Sequence, residues 1–211
     1  MTTGTRASSQ REPQQERSRL TRERLLRATV DALAQDGWAA ATVAAVAERA
    51  GVSRGAAQHH FPTREALITA ALELIFDDMT ASASAAPESV PDGDRVAAGV
   101  ARAVAIYTGT EFKAALQVWA AAASDPALRE MILPLEGKFA HAAHRMTVSA
   151  LDPEGTNPQA RSIAQVTLDL ARGLGLADTL SDDSRRREQV VATWTLLVSA
   201  ALDASNDGAP N

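Results

Sequence analysis

The chain has 211 residues, 45% of them apolar and only 4% aromatic, with no cysteine and a formal net charge of -5. Without cysteine there can be no disulfide, thiolate metal site or cysteine nucleophile, so a reducing cytoplasm is the expected home. No apolar run approaches the roughly 18 residues of a membrane span, and the first residues lack the apolar core of a signal peptide.

Abundant alanine and few β-branched runs favour helix over strand, so the expected class is all-α. Residues 1–17 are polar and without apolar periodicity, which reads as a disordered arm. From Ser18 or Thr21 onward Leu25, Leu26, Thr29, Ala32 and Leu33 recur at helical spacing, with Thr21 as the expected N-cap and Gly37 as the stop. The segment from Thr42 to Phe61 then divides into two short helices. Thr42 caps the first, whose inward positions are Val43, Val46 and Ala47, and Ser53 caps the second. Between them Ala50, Gly51 and Val52 make a tight turn, where Gly51 can take a positive φ at little steric cost. Two short helices about a glycine-containing turn are the layout of a helix-turn-helix, whose second helix enters the major groove.

Thr63 caps a long fourth helix, expected to reach about Ser82, with Leu67, Ala70, Ala71, Leu74, Ile75 and Met79 on its apolar side. Residues 83–94, which include Pro87, Pro91 and Gly93, read as a loop. Helices follow at about 95–107, 111–123, 126–150, 159–179 and 184–203, before a polar tail from Asn206 to Asn211. Pro126 suits the first turn of its helix, whereas Pro134 should kink or break it. The expected organisation is an arm (1–17), a three-helix helix-turn-helix domain (18–65), a larger helical bundle (66–205) and a disordered tail (206–211), about nine helices in all.

Charge follows this division: residues 1–70 carry ten Arg against seven acidic residues, +3, while residues 71–211 carry eleven basic and nineteen acidic residues, -8. A basic segment on an acidic body suits a DNA-reading module, because phosphate affinity depends on local charge. Arg54, Gln58 and His59 stand at i, i+4 and i+5 on the second helix of the motif and share its outward face. Arg can pair with guanine, Gln with adenine, and hydroxyls with phosphate. Thr42 and Arg64 stand at helix starts, where the dipole and free N–H groups suit a phosphate oxygen, although plain capping explains Thr42 equally well. Arg17, Arg19, Arg22 and Arg24 are further phosphate or minor-groove candidates, or simply a solvated face.

The run Arg27-Ala28-Thr29, Gly37-Trp38, Thr42-Val43, Val46-Ala47, Ala50-Gly51-Val52-Ser53, His60-Phe61-Pro62 and Arg64-Glu65-Ala66-Leu67 resembles the tetracycline-repressor (TetR) family over about residues 19–72. Beyond that the likeness is one of helix order and length. The resemblance implies that Ser53, Arg54, Gly55 and Ala56 meet bases and nearby phosphates, and that Phe61 packs in the small N-terminal core. Gln58 stands where the family usually carries a Tyr, so an amide replaces a ring at that position. It further implies a ligand-responsive repressor that binds double-stranded DNA at a near-palindromic operator as a homodimer. A small-molecule binding protein with a vestigial helix-turn-helix and a transcriptional activator are the alternatives, and intact Thr42, Gly51, Ser53 and Arg54 argue against the former.

In the C-terminal part the last two helices carry apolar arcs wider than one core face needs. They are either fully buried, or pack against a second subunit through Leu170, Leu174, Val190, Trp194, Leu197, Val198 and Ala201, which is the interface the family implies. Phe76, Tyr107, Phe112, Trp119 and Phe139 lie among many alanines and are candidates to line a pocket for a largely apolar effector, or else simply fill a helical core. His141 and His144 stand at i, i+3 and could co-ligate a metal with Glu136 or another helix completing the set, or else line a pocket or face solvent; two histidines are too few for a structural site, and none is expected. No Ser-His-Asp, phosphate-loop or paired-carboxylate pattern appears, so neither an enzyme nor a cofactor is expected.

Overall fold

The computed structural model describes residues 6–85 and 95–207, and among these it has nine α-helices, one 3₁₀ turn and no strand. The helices are α1 (Arg6–Asp36), α2 (Val43–Ala50), α3 (Arg54–His60), α4 (Arg64–Ser84), α5 (Arg95–Ile106), α6 (Thr110–Ala122), α7 (Pro126–Leu151), α8 (Ala160–Ala177) and α9 (Ser184–Asp207), with the 3₁₀ turn at Trp38–Ala40. The expected all-α class and element order hold. Residues 1–5 of the expected arm, 86–94 of the expected loop and 208–211 of the expected tail lie outside the described residues.

Two boundaries differ from expectation. The first helix begins at Arg6, so it runs back through the polar segment read as an arm, and it continues unbroken through Thr21, whose hydroxyl donates to the Arg17 carbonyl at 2.8 Å. Arg19 pairs with Glu16 and Glu23 one turn to either side, which supports as helix the polar stretch that is exposed over residues 14–20. The last helix likewise continues through Asp207. Pro134 neither breaks nor ends α7, which spans Pro126–Leu151. It sits on the exposed side, where water can serve the carbonyl it leaves unpaired, while Leu128, Ile132 and Phe139 hold the opposite side in the core.

Buried side chains gather into two main cores. Leu25, Leu26, Ala28 and Ala32 of α1 join Val46, Ala47, Ala57, Phe61, Leu67 and Ala71 in a small N-terminal core. Val30 and Leu33 of the same helix, with Ile68, Leu72, Ile75, Phe76 and Met79 of α4, belong instead to the large core formed with α5 to α8. Thus α1 and α4 each bury one side in either core, and the Arg27–Asp78 ion pair at 2.5 Å joins them.

Small residues let the body helices approach closely. A Cβ built on Gly175 of α8 would stand 1.9 Å from the Tyr107 carbonyl oxygen and 2.6 Å from Cε1 of Phe112. The nearby corner of α6, α8 and α9 is closed by Asp178, which accepts from Lys113 at 2.9 Å and Arg187 at 2.6 Å. These hydrogen bonds, Lys113's first, hold the Asp178 carboxyl below its usual range. Its stabilising effect is therefore present at neutral pH and is lost as pH falls through that depressed value.

Gly175→Ala should lower unfolding stability by about 2 kcal/mol, because backbone rather than a mobile side chain blocks the methyl. Gly137→Ala in α7, where a Cβ would meet nothing within 4 Å, should raise stability by up to about 1 kcal/mol through helix propensity. Urea denaturation of the two variants measures both signs.

Candidate nucleic-acid interface

The short helices are set by local chemistry. Thr42 caps α2, its hydroxyl accepting from the Ala45 amide at 3.2 Å, and Ser53 caps α3 in the same way from Ala56 at 3.2 Å. Between them Gly51 has φ 63 and ψ 36, the left-handed conformation the tight turn requires. From α1, Arg24 donates to the carbonyl of Ala50 at 2.5 Å, tying the turn to the helix behind it. Ala47 and Ala57, each 1% exposed, face one another's helices and permit the close crossing, and Phe61 at 3% completes the small core.

Burying Ala57 turns the opposite side of α3 to solvent. Thr42, Ser53, Arg54, Gly55, Gln58 and His59 are all exposed on the protein surface, and Ala56 is half-buried. Arg54 and Gln58 have no side-chain hydrogen-bond partner among the described residues, so their donors remain available. Other arginines of this region are already engaged: Arg19 with Glu16 and Glu23, Arg24 with the turn, Arg27 with Asp78, and Arg49 with Asp36 and Gln35. Arg22 lies 5.4 Å from the Phe61 ring centroid. Burial, then the neighbouring His59 and Arg22, hold the His60 imidazole below its ordinary value and so favour its neutral form.

Arg64 does not follow its expected placement. Rather than facing outward from the start of α4, its guanidinium is half-buried and turned onto the 3₁₀ turn: Nε donates to Ala41 at 2.9 Å and Nη2 to Trp38 at 2.5 Å. Neither that 3₁₀ turn nor the carbonyl contacts of Arg24 and Arg64 carry a signature in local sequence, since an arginine bound to backbone looks like any surface arginine until the fold is known.

In the body, the five aromatics expected around a pocket do come together, but as touching rings. Centroids lie 6.4 Å apart for Phe76 and Phe139, 5.8 Å for Tyr107 and Phe139, 5.0 Å for Tyr107 and Phe112, and 5.7 Å for Phe112 and Trp119. All but Trp119 are fully buried, so they fill the core rather than line an opening. An open cleft of about 550 Å³ lies instead between α4, α5 and the start of α6, lined by Asp78, Met79, Arg102, Ile106 and Glu111 among others. His144 stands 3.2 Å from the Arg161 carbonyl oxygen, His141 is exposed, and no group of three metal-ligating side chains occurs among the described residues.

On α8 and α9, Leu174 and Val198 are 4% and 1% exposed within the single chain, a correction to their expected place at a subunit interface. Leu170, Val190, Trp194 and Ala201 are half-buried, and Leu197 is 57% exposed. Val166 and Leu196 stand open beside them at 50% and 73%. The Trp194 indole N–H donates to Thr167 at 3.0 Å, which fixes one edge of the ring inside its own chain.

Residues 25–71 match the family model described as bacterial regulatory proteins, tetR family. The chain is 30% identical over 185 residues to the HTH-type transcriptional regulator CymR of Pseudomonas putida, covering 87% of this chain and 91% of that protein. It is 29% identical to the HTH-type transcriptional regulator BetI of Stenotrophomonas maltophilia, covering 75% of this chain and 81% of that one. Among solved structures, a transcriptional regulator from Rhodococcus sp. Rha1 superposes with a TM-score of 0.67 at 28% identity, over 90% of this chain and 99% of the other.

Removing the α3 cap tests the local account of this interface. Ser53→Ala should cost about 1 kcal/mol of stability, and Ser53→Thr, which keeps the oxygen, should recover most of it, as read by chemical denaturation.

Proposed function

Because the chain belongs to the TetR family of bacterial regulatory proteins and is a DNA-binding transcriptional regulator, we propose that it is a ligand-responsive repressor that acts as a homodimer on a near-palindromic operator. The observation that carries the DNA-reading part is the exposed side of α3, where Arg54 and Gln58 stand unengaged beside His59 while neighbouring arginines are spent on the protein itself. In this reading Arg54 reads a base edge and the Thr42 and Ser53 hydroxyls meet phosphate.

Two features support the remainder. A surface groove of about 290 Å³ on α8 and α9 is lined by Leu170, Val190, Thr193, Trp194 and the exposed Leu197, and with Val166 and Leu196 also exposed on these helices, side chains of a second copy can pack there. The open cleft against α4 has an apolar floor of Met79 and Ile106 with Asp78, Arg102 and Glu111 at its margin, which suits an apolar effector with polar orienting groups. In this reading residues up to about 65 read DNA, and the rest of the chain dimerises and senses the effector in the cytoplasm. An effector that spreads α4 from α5 would alter the pose of the reading helices, and a tenfold loss of operator affinity requires about 1.4 kcal/mol of preference for the released form. No helix among the described residues is long and apolar enough to cross a membrane. The curated relatives are transcriptional regulators rather than enzymes.

Arg54→Ala should weaken binding to a duplex selected by the wild-type protein by about 1–3 kcal/mol, with log K falling steeply against log salt for both proteins. Fluorescence anisotropy measures this, and a wild-type protein that selects no sequence would defeat the repressor reading. Leu197→Glu should give a monomer by light scattering, because a charge at that apolar position cannot be buried unpaired in an interface. An unchanged dimer would place the interface elsewhere.

A further inference from the structure

The α1–α2 connection is held from the far end of the reading unit. Gly37 turns the chain out of α1 with φ 84, and Trp38 follows, half-buried against the large core. Ala41, fully buried, immediately precedes Thr42, the residue that caps α2. Arg64 reaches back to this stretch from the first residue of α4, just after α3 and Phe61. Its Nε donates to Ala41 at 2.9 Å, its Nη2 to Trp38 at 2.5 Å, and its guanidinium carbon lies 4.7 Å from the Trp38 ring centroid. One planar group thus satisfies two buried-side carbonyls and covers an aromatic face, and it joins the entrance of α2 to the exit of α3.

We propose that Arg64 is a positioning residue for operator binding rather than a phosphate contact: it closes residues 38–64 into a loop of fixed geometry and so sets the pose of α2 and α3 on the α4 that carries them. This rests on the DNA-reading role given to α2 and α3. Two facts separate it from the helix-start reading of the same residue. Two of the guanidinium's five donors, one on Nε and one on Nη2, already point at backbone carbonyls, and the residue is half-buried while Arg54 is exposed and unengaged. Lysine cannot replace it, since a single ammonium cannot serve two carbonyls in one plane and stack on the indole as well.

The charge-preserving variant makes the test. Full-length wild-type, Arg64→Lys and Arg64→Gln proteins are titrated against the fluorescein-labelled duplex selected by wild type, over a series of KCl concentrations. Both variants should bind about tenfold more weakly, by similar factors, with the slope of log K against log salt unchanged. If Arg64→Lys binds as wild type while Arg64→Gln weakens and its slope falls by about one, Arg64 is a phosphate contact and the proposal is overturned. Two variants that both bind as wild type overturn it as well. A measurement on the unmutated protein covers the case in which the variants do not fold. The Nε–H signal of Arg64 in a 15N spectrum should be protected from water exchange in free protein and unchanged in position when the duplex binds. An exchanging signal that becomes protected only with DNA overturns the proposal.

Discussion

Everything in this structure depends on two helices that each belong to two cores. Along α1, Leu25, Leu26, Ala28 and Ala32 face the small N-terminal core while Val30 and Leu33 face the large one, and along α4 the same alternation sets Leu67 and Ala71 against Ile68, Leu72 and Ile75. Each large aliphatic side chain so buried contributes about 1.5–3 kcal/mol, so the reading helices are not tethered by a hinge. They are seated on the body through continuous packing. A change of shape in the body reaches α2 and α3 through α1, through α4 or through the 3₁₀ turn whose Trp38 packs on the large core, and α1 and α4 cannot move without repacking both cores.

The second constraint is size. The chain has few aromatics and many alanines, and the interior uses them separately: four large rings with Trp119 at their edge form one cluster, while Ala47, Ala57, Ala114, Ala115, Ala143, Ala171 and Gly175 occupy places where helices run close together. A core assembled this way is held by backbone proximity as much as by side-chain volume. The Tyr107 hydroxyl, raised in pKa by burial, keeps its proton and lies 3.4 Å from Nη2 of Arg172, so the cluster's polar tip is met at the surface of α8.

What the sequence could tell was decided by range. Caps at Thr42, Ser53 and Thr63 and the left-handed Gly51 rest on chemistry within a few residues and stand where capping and turn preference put them, and Phe61 is inward as the family resemblance implies. Helix limits in the body fall within a few residues of expectation for the same reason. Pro134 stays inside the helix expected over 126–150, because its intrinsic cost is local while packing against α4 across the core holds that helix together. The polar start of α1 misled because its support is in charge pairs rather than apolar period. On α8 and α9 the apolar arc was legible, but which flank turns inward depends on neighbours distant in sequence, so Leu174 and Val198 could not be told from Leu197. Arg64 is the sharpest case, since its partners are backbone atoms more than twenty residues away.

The double membership of α4 also bears on how such a protein could be recombined. A reading head excised at residue 65 would leave behind Leu67 and Ala71, which complete its core, and would strip the large core of the faces that α1 presents to it. Heads are therefore not interchangeable caps on a common body. The smallest segment that carries its own interior runs from α1 through α4, and grafting it onto a foreign body would succeed only where that body offers a matching seat for Val30, Leu33, Ile68, Leu72 and Ile75. In the proposed reading, DNA specificity and effector sensing can diversify separately only as fast as that shared seam lets them.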